Sequence, residues 1–325
     1  MDIKNYEKGI RELHTQFSLR PLKFLRIEKL GREKPDAIIV AGMGGSGIAG
    51  TLLQKIGISG IIGIPLISWK DYGIPLLPYA RRPLYLFISF SGTTHEVLIG
   101  VSAALRVKGS RIAVVTVGGP LKTIAEKHRL PAAYFEKGLL APRQATGLML
   151  YGALGILRQM RPQIPAPDLS RRINPSHEET TGKAIARAIG NHTPLIYSSN
   201  ELSHVGYFLK IHLNETAKTL AFQNIIPEAN HNEVVSFAAH PKNITALFLH
   251  GKERSTVARA IAATTRTAKR YGISVISLSL KGSTPLERTL RGITIAEWIS
   301  YYLARMKKVA PRQTIIIDEI KKLTK

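Results

Sequence analysis

Two short stretches carry the residue types from which a phosphate cradle is built, Gly42-Met43-Gly44-Gly45-Ser46-Gly47 and Ser89-Phe90-Ser91-Gly92-Thr93-Thr94. Each follows an apolar run, Ala37-Ile38-Ile39-Val40-Ala41 or Leu84-Tyr85-Leu86-Phe87-Ile88, and each opens a helical pattern. Glycine lets the chain turn sharply and lets backbone N–H groups approach an anion, while serine and threonine hydroxyls add donors at the positively polarised start of a helix. Either turn alone also fits an ordinary strand-to-helix connection with a serine cap. Two of them at carboxyl ends of strands in one α/β unit point to a phosphorylated ligand at the sheet edge. The first stretch has no lysine after its glycines, which argues against Walker-type nucleoside triphosphate chemistry. About twenty residues further on, where a dinucleotide site would place an acid for the ribose, the chain reads Leu66-Ile67-Ser68-Trp69. A nicotinamide dehydrogenase therefore fits poorly.

A second set of reactive side chains lies in His212-Leu213-Asn214-Glu215-Thr216-Ala217-Lys218 and Pro227-Glu228-Ala229-Asn230-His231-Asn232-Glu233. Carboxylates and imidazoles flanked by amides suit acid–base work. Taken singly, such a glutamate is more often a solvated helix residue and such a histidine a structural one. His212, His231, Glu215 and Glu228 are also types that bind metals, but neither His-Glu-x-x-His nor another compact ligand spacing occurs, so no metal is expected.

Apolar runs and helical periodicity predict the scaffold for these residues. An N-terminal amphipathic helix through about Phe17 precedes strands at 37–41, 63–68, 84–88, 111–117 and 132–135, with helices at 47–56, 95–107, 120–128 and 143–160. Pro162-Gln163-Ile164-Pro165-Ala166-Pro167-Asp168 ends the last of these and marks a boundary. A connector helix at 176–189 leads to strands at 194–198, 244–249 and 274–279 and helices at 203–213, 228–237, 254–271, 287–306 and 315–323. The expectation is an α/β protein with a first domain over 1–161, a connector over 162–192 and a second domain over 193–325. The second half lacks hydroxyl-rich glycine turns, for its first strand ends in Ser198-Ser199-Asn200-Glu201.

A chain of 325 residues with 44% hydrophobic content can bury one large core or two medium ones. No apolar stretch is long enough to span a membrane and no basic-then-apolar leader is seen, so a cytoplasmic protein with no membrane partner is expected. The absence of cysteine excludes disulfides, thiolate catalysis and cysteine-ligated metal centres. Lys and Arg total 46 against 22 Asp and Glu, a formal charge of +24. The cations are scattered, as in Arg171-Arg172, Lys269-Arg270 and Lys307-Lys308, without a basic tail or an aromatic-rich strand-binding segment. They read as solvated helix faces that draw anionic metabolites, and nucleic acid is not the expected partner.

Gly42 to Gly47, Ser89 to Thr94, Ala141-Pro142-Arg143, Asn214-Glu215-Thr216-Ala217-Lys218 and Pro227-Glu228-Ala229-Asn230-His231-Asn232 occur in that order. Together they make the chain resemble the bifunctional phosphoglucose/phosphomannose isomerases of the phosphoglucose isomerase superfamily, most clearly over about residues 40 to 235. The resemblance implies two sugar isomerase (SIS) domains, each a parallel five-stranded sheet flanked by helices. It implies that Ser46, Ser89, Ser91 and Thr94 hold a sugar phosphate, with Gly45 and Gly47 giving the backbone access to it. Glu215 matches the base that moves a proton between C1 and C2, Arg143 the residue that stabilises the cis-enediolate, and His231 the histidine that opens the sugar ring. In the family that histidine comes from the partner subunit, so a homodimer with shared sites is implied. Thr314 is the best match to a threonine shaping the far side of the pocket, although its surroundings match poorly. His212 stands where a less polar residue is expected, and Asn230 where some relatives have histidine. The implied activity interconverts glucose 6-phosphate and fructose 6-phosphate, and mannose 6-phosphate with them, without cofactor. A base and an electrostatic clamp on a developing oxyanion are all that such chemistry requires. The alternative is a non-catalytic sugar-phosphate-sensing regulator, which needs neither Glu215 nor His231 and for which no helix-turn-helix segment is seen.

Overall fold

Ile38–Ala41 and Leu84–Ile88 are buried along their whole lengths, which is why they read as unbroken apolar runs: a parallel strand covered on both faces has no polar side to show. The computed structural model describes residues 2–31, 33–136, 138 and 140–323. It divides into two units, one of Glu12–Asn174 and one of Met1–Arg11 with Pro175–Lys325.

The chain opens on α1 (Asp2–Arg11). It continues through β1 (Lys23–Leu25), β2 (Ile38–Ala41), α2 (Gly44–Lys55), α3 (Ile58–Ile62), β3 (Leu66–Trp69), β4 (Leu84–Ile88) and α4 (His95–Ala104). Then come β5 (Arg111–Thr116), α5 (Gly119–Lys127), β6 (Ala132–Tyr134) and α6 (Thr146–Met160). The strands of the 12–174 unit form one sheet in the order β1-β6-β5-β4-β2-β3. All neighbours are parallel except β1, which runs antiparallel to β6. Ile39, Phe87 and Val114 of the sheet pack with Val101 of α4 and Leu121 of α5 in a buried cluster. The sheet has six strands rather than the five expected, because Lys23-Phe24-Leu25 is too short to show a period.

The second unit adds α7 (Glu179–Ile189), β7 (Thr193–Ser199), α8 (Ser203–Glu215), β8 (Phe222–Ile226), β9 (Ile244–His250), α9 (Ser255–Arg270), β10 (Ser274–Ser279), α10 (Pro285–Met306) and α11 (Ile315–Leu323). Its sheet is parallel throughout, in the order β10-β9-β7-β8, and has four strands rather than five. β8 escapes a sequence reading because its centre is Gln223-Asn224, amides that look like loop. The helix expected at 228–237 is instead two 3₁₀ segments, Glu228–His231 and Glu233–Ala239. α10 begins where Thr284 Oγ1 accepts the Glu287 N–H at 3.1 Å, with Pro285 in the first turn, a favourable helix start.

The placement of α1 differs from the expected 1–161 grouping. Tyr6 is fully buried and its hydroxyl donates to Glu297 Oε2 at 3.1 Å, while Tyr301 Oη donates to Glu7 Oε2 at 2.5 Å. An amphipathic stripe says that a helix packs on a core, and nothing in the stripe says which one.

Candidate active site

In the first sheet the chain goes outward from β2 to β3, returns across β2 to β4, and then proceeds to β5 and β6. The carboxyl edge between β2 and β4 is therefore the point where strand order reverses, and this is where open α/β sheets form ligand crevices. Both hydroxyl-rich turns lie there, one entering α2 and the other α4. Ser46 ties them together: its buried Oγ accepts the Phe90 N–H at 3.0 Å, which leaves its own proton to donate. Ser89 Oγ pairs with Thr94 Oγ1 at 2.8 Å and accepts the Gly92 N–H at 3.1 Å. Ser91 Oγ pairs with Thr93 Oγ1 at 2.7 Å on the exposed side of the same loop. Ser89 is 0% exposed, and its hydroxyl, paired with Thr94 Oγ1 and the Gly92 N–H, holds the loop in shape.

Arg143 joins this group. It sits 2% exposed in a 3₁₀ turn, Pro142–Ala145, which Gln16 fastens by donating from Nε2 to the Gln144 carbonyl at 2.9 Å. A Cβ on Gly45 would lie 2.8 Å from Arg143 Cα, so only glycine lets the first turn of α2 rest on the arginine's backbone. A Cβ on Gly47 would meet the Gly42 carbonyl oxygen and come within 3.5 Å of Lys70 Cε. Lys70 follows β3 immediately and leans over the start of α2, and burial pushes its ammonium below the usual lysine range. The sequence reading passed over it. Its signal was position, one residue past the strand that neighbours β2.

In the second unit, Glu215 is half-buried as the last residue of α8, beside a cleft of about 500 Å³. Asn214, Lys218, Gln313 and Thr314 line that cleft with residues of α11, so Glu215 and Thr314 share one wall system. Lys218 Nζ donates to the Glu215 carbonyl at 2.6 Å and to the carbonyls of Ala310 and Gln313 at 2.8 Å each. It caps α8 and fastens the segment leading to Thr314 with one charge. His231 is elsewhere, exposed on its 3₁₀ turn and not part of the cleft lining. Its amide neighbours serve the turn: Asn230 Oδ1 accepts from Thr264 Oγ1 at 2.7 Å, and Asn232 Nδ2 donates to Glu228 Oε1 at 3.0 Å. At the reversal point of this sheet, between β7 and β9, the chain supplies its own anion. The Glu253 carboxylate accepts the Gly251 N–H at 2.7 Å and the Ser199 hydroxyl at 3.4 Å. No three His, Asp or Glu side chains among the described residues are grouped to hold a metal ion, and no described helix is long and apolar enough to cross a membrane.

Residues 178–323 match the family described as the bacterial phospho-glucose isomerase C-terminal SIS domain. The bifunctional phosphoglucose/phosphomannose isomerase of Thermoplasma volcanium is 30% identical over 305 residues, covering 93% of this chain and 95% of the relative. The enzyme of the same name from Caldicellulosiruptor bescii is 31% identical over 310 residues, 89% of each chain. This chain belongs to the bifunctional phosphoglucose/phosphomannose isomerase family. The solved tagatose-6-phosphate ketose/aldose isomerase of Escherichia coli superposes with a TM-score of 0.71 over 97% of this chain and 95% of that one, at 14% identity, a likeness of fold. In this phosphoglucose/phosphomannose isomerase family member, the hydroxyl turns and Arg143 sit in the 12–174 unit, whereas Glu215, His231 and Thr314 sit in the other.

Proposed function

We propose that this chain interconverts glucose 6-phosphate and mannose 6-phosphate with fructose 6-phosphate through one cis-enediol intermediate. Family membership over nearly the whole chain carries the reading. The hydroxyl turns and Arg143 at the β2/β4 reversal point, and Glu215 at the end of α8, supply the residues for it. Ser46, Ser89, Ser91 and Thr94 bind the phosphate by hydroxyl donation, with Ser89 also keeping the loop in shape, and Gly45 and Gly47 open the backbone to it. Lys70 adds a cation to the same anion.

Glu215 removes the C2 proton of the open-chain aldose, and the electron pair left behind forms the enediolate. Arg143 stabilises its negative oxygen. The proton returns at C1 as the hydroxyl proton passes from O2 to O1, which yields the ketose with no net gain or loss of electrons. Rotation about C2–C3 turns one or the other face of the planar intermediate to Glu215, and reprotonation at C2 then gives glucose or mannose configuration, so one base serves both activities. His231 opens the ring from the partner subunit of a homodimer, a role suited to an exposed imidazole outside the Glu215 cleft. The reading places the enzyme in the cytoplasm.

Fructose 6-phosphate supplied in deuterium oxide tests this directly, with glucose 6-phosphate and mannose 6-phosphate read separately. Both products should form and carry deuterium at C2. Glu215→Gln should bind substrate and lose turnover by about 10²-fold or more, since the amide accepts no proton. Retained turnover removes Glu215 from the base role, and products without exchange point to a hydride shift.

A further inference from the structure

His212 is the imidazole that this proton shuttle leaves over. Its ring is completely buried in α8 and stacks on Phe208, with centroids 4.0 Å apart and planes 23° from parallel. Nδ1 lies 3.4 Å from Oε2 of Glu297 on α10, whose side chain is itself 1% exposed, a close polar contact short of a hydrogen bond, so both ring nitrogens of His212 and Oε1 of Glu297 are buried without a hydrogen-bond partner among the described residues. The same Oε2 accepts the hydroxyl of Tyr6 from α1, and Tyr6 Oη is 2.9 Å from Oγ1 of Thr216. Because the Tyr6 proton points to Glu297, Thr216 donates to Tyr6. Thr216 directly follows Glu215, and its backbone N–H donates to the His212 carbonyl at 2.9 Å. The contacts thus close a ring from His212 through Glu297, Tyr6 and Thr216 back along one turn of α8. Leu213, Asn214 and Glu215 are the residues inside that turn.

Burying polar side chains at this depth is costly without compensating partners, and well-packed apolar side chains generally stabilise a core at least as well as buried polar ones. What a polar contact of this kind contributes in some proteins is register, since the contact is lost when either partner moves. Register matters most at the end of a helix, where carbonyls have no partners in the next turn. The chain leaves α8 through Lys218, in the left-handed region at φ 48°. Lys218 Nζ caps the Glu215 carbonyl from the exposed side, and the buried ring holds the same turn from within.

We propose that the His212–Glu297 pair, linked through Tyr6 to Thr216, is the positioning device for Glu215, fixing the height and direction of its carboxylate. The inference rests on the assignment of Glu215 as the base. Small displacements suffice to expose such a role, because an error of about 1 Å in a reacting group costs roughly 10²-fold in rate.

The test measures melting temperature, KM and kcat for fructose 6-phosphate in Tyr6→Phe, His212→Gln, Glu297→Gln and the His212→Gln/Glu297→Gln double variant, at a temperature where each is folded. Tyr6→Phe removes one hydroxyl and keeps the ring, so it decides the matter even where a Gln variant fails to fold. Positioning predicts that kcat falls by about tenfold or more while KM stays within about twofold. The double variant, with two amides able to pair, should recover much of the kcat lost by either single change. A purely structural role would lower the melting temperature and leave kcat of the folded variants at the wild-type value. That result, or KM and kcat changing together, or a double variant no better than the worse single one, overturns the proposal. A dead Glu215→Gln beside a normal Tyr6→Phe removes the positioning role alone, whereas an active Glu215→Gln removes the base assignment itself.

Discussion

Lys70 shows how one side chain reports the chemistry around it. Lys70 is half-buried with its Cε against Gly47 in the first turn of α2, beside the hydroxyl turns that would hold a phosphate. Burial lowers its pKa, so between that lowered value and the usual lysine range the unfolded chain holds more protons than the folded one. Stability contributed by this group therefore rises with pH through that window. Binding has the opposite sign, because phosphate attracts the protonated form and affinity falls as pH rises through the lowered value. KM for fructose 6-phosphate should climb on the alkaline side of wild type. In Lys70→Met it should be raised already at neutral pH, by about tenfold for a lost charge-assisted contact, without that climb. A Met variant with wild-type KM at every pH removes Lys70 from the substrate. Ser46 makes a different prediction, since its Oγ is the acceptor for a buried backbone N–H. Ser46→Ala should cost about 1–3 kcal/mol of stability by leaving the Phe90 N–H unsatisfied, and should weaken substrate binding as well. Denaturant melts separate the two effects, and a fully stable Ser46→Ala would mean that Phe90 finds another acceptor.

The elements position these residues through contacts that only small side chains permit. Gly45→Ala places a methyl 2.8 Å from Arg143 Cα, and one of two buried backbones must move. The expected cost is about 1–3 kcal/mol in stability, as for other overpacked cores, with a larger proportional fall in kcat/KM as Arg143 is displaced. An unchanged kcat/KM would show that Arg143 does not depend on α2 for its place. Much of this arrangement was legible in the sequence, because buried parallel strands announce themselves as apolar runs and glycine turns as punctuation: β2, β4 and the two loops fell where they were expected. β1 was too short to show a period, and β8 hides its strand behind Gln223-Asn224. The 228–239 segment shows a helical pattern but is held as 3₁₀ turns by particular bonds. Tyr197 Oη donates to Glu233 at 2.6 Å and Asn224 Nδ2 to the same carboxylate at 2.7 Å. Such long-range partners leave no local period. The closing of the second sheet's anion position by Glu253 was equally invisible, since Ser199 and Glu253 meet only once β7 and β9 are paired.

For the whole molecule the decisive question is whether one chain completes the site. His231 is exposed, no described residue pairs with it, and it lies outside the cleft that Glu215 and Thr314 line. The +24 charge opposes self-association through repulsion, so a dimer requires an apolar contact and gains from moderate salt. If His231 opens the sugar ring, His231→Ala should lose most activity on cyclic substrate and less on substrate delivered in open-chain form. The sharper experiment mixes two inactive proteins. Glu215→Gln chains keep His231 and His231→Ala chains keep Glu215, so a hybrid dimer with shared sites holds one intact site and one doubly damaged one. Random exchange in an equal mixture makes half of the dimers hybrid, and each hybrid has one of two sites working. Activity should therefore recover to about a quarter of wild type after exchange, and sedimentation should confirm that the species is a dimer. Hybrid dimers formed without recovery of activity would mean that Glu215 and His231 act from the same chain.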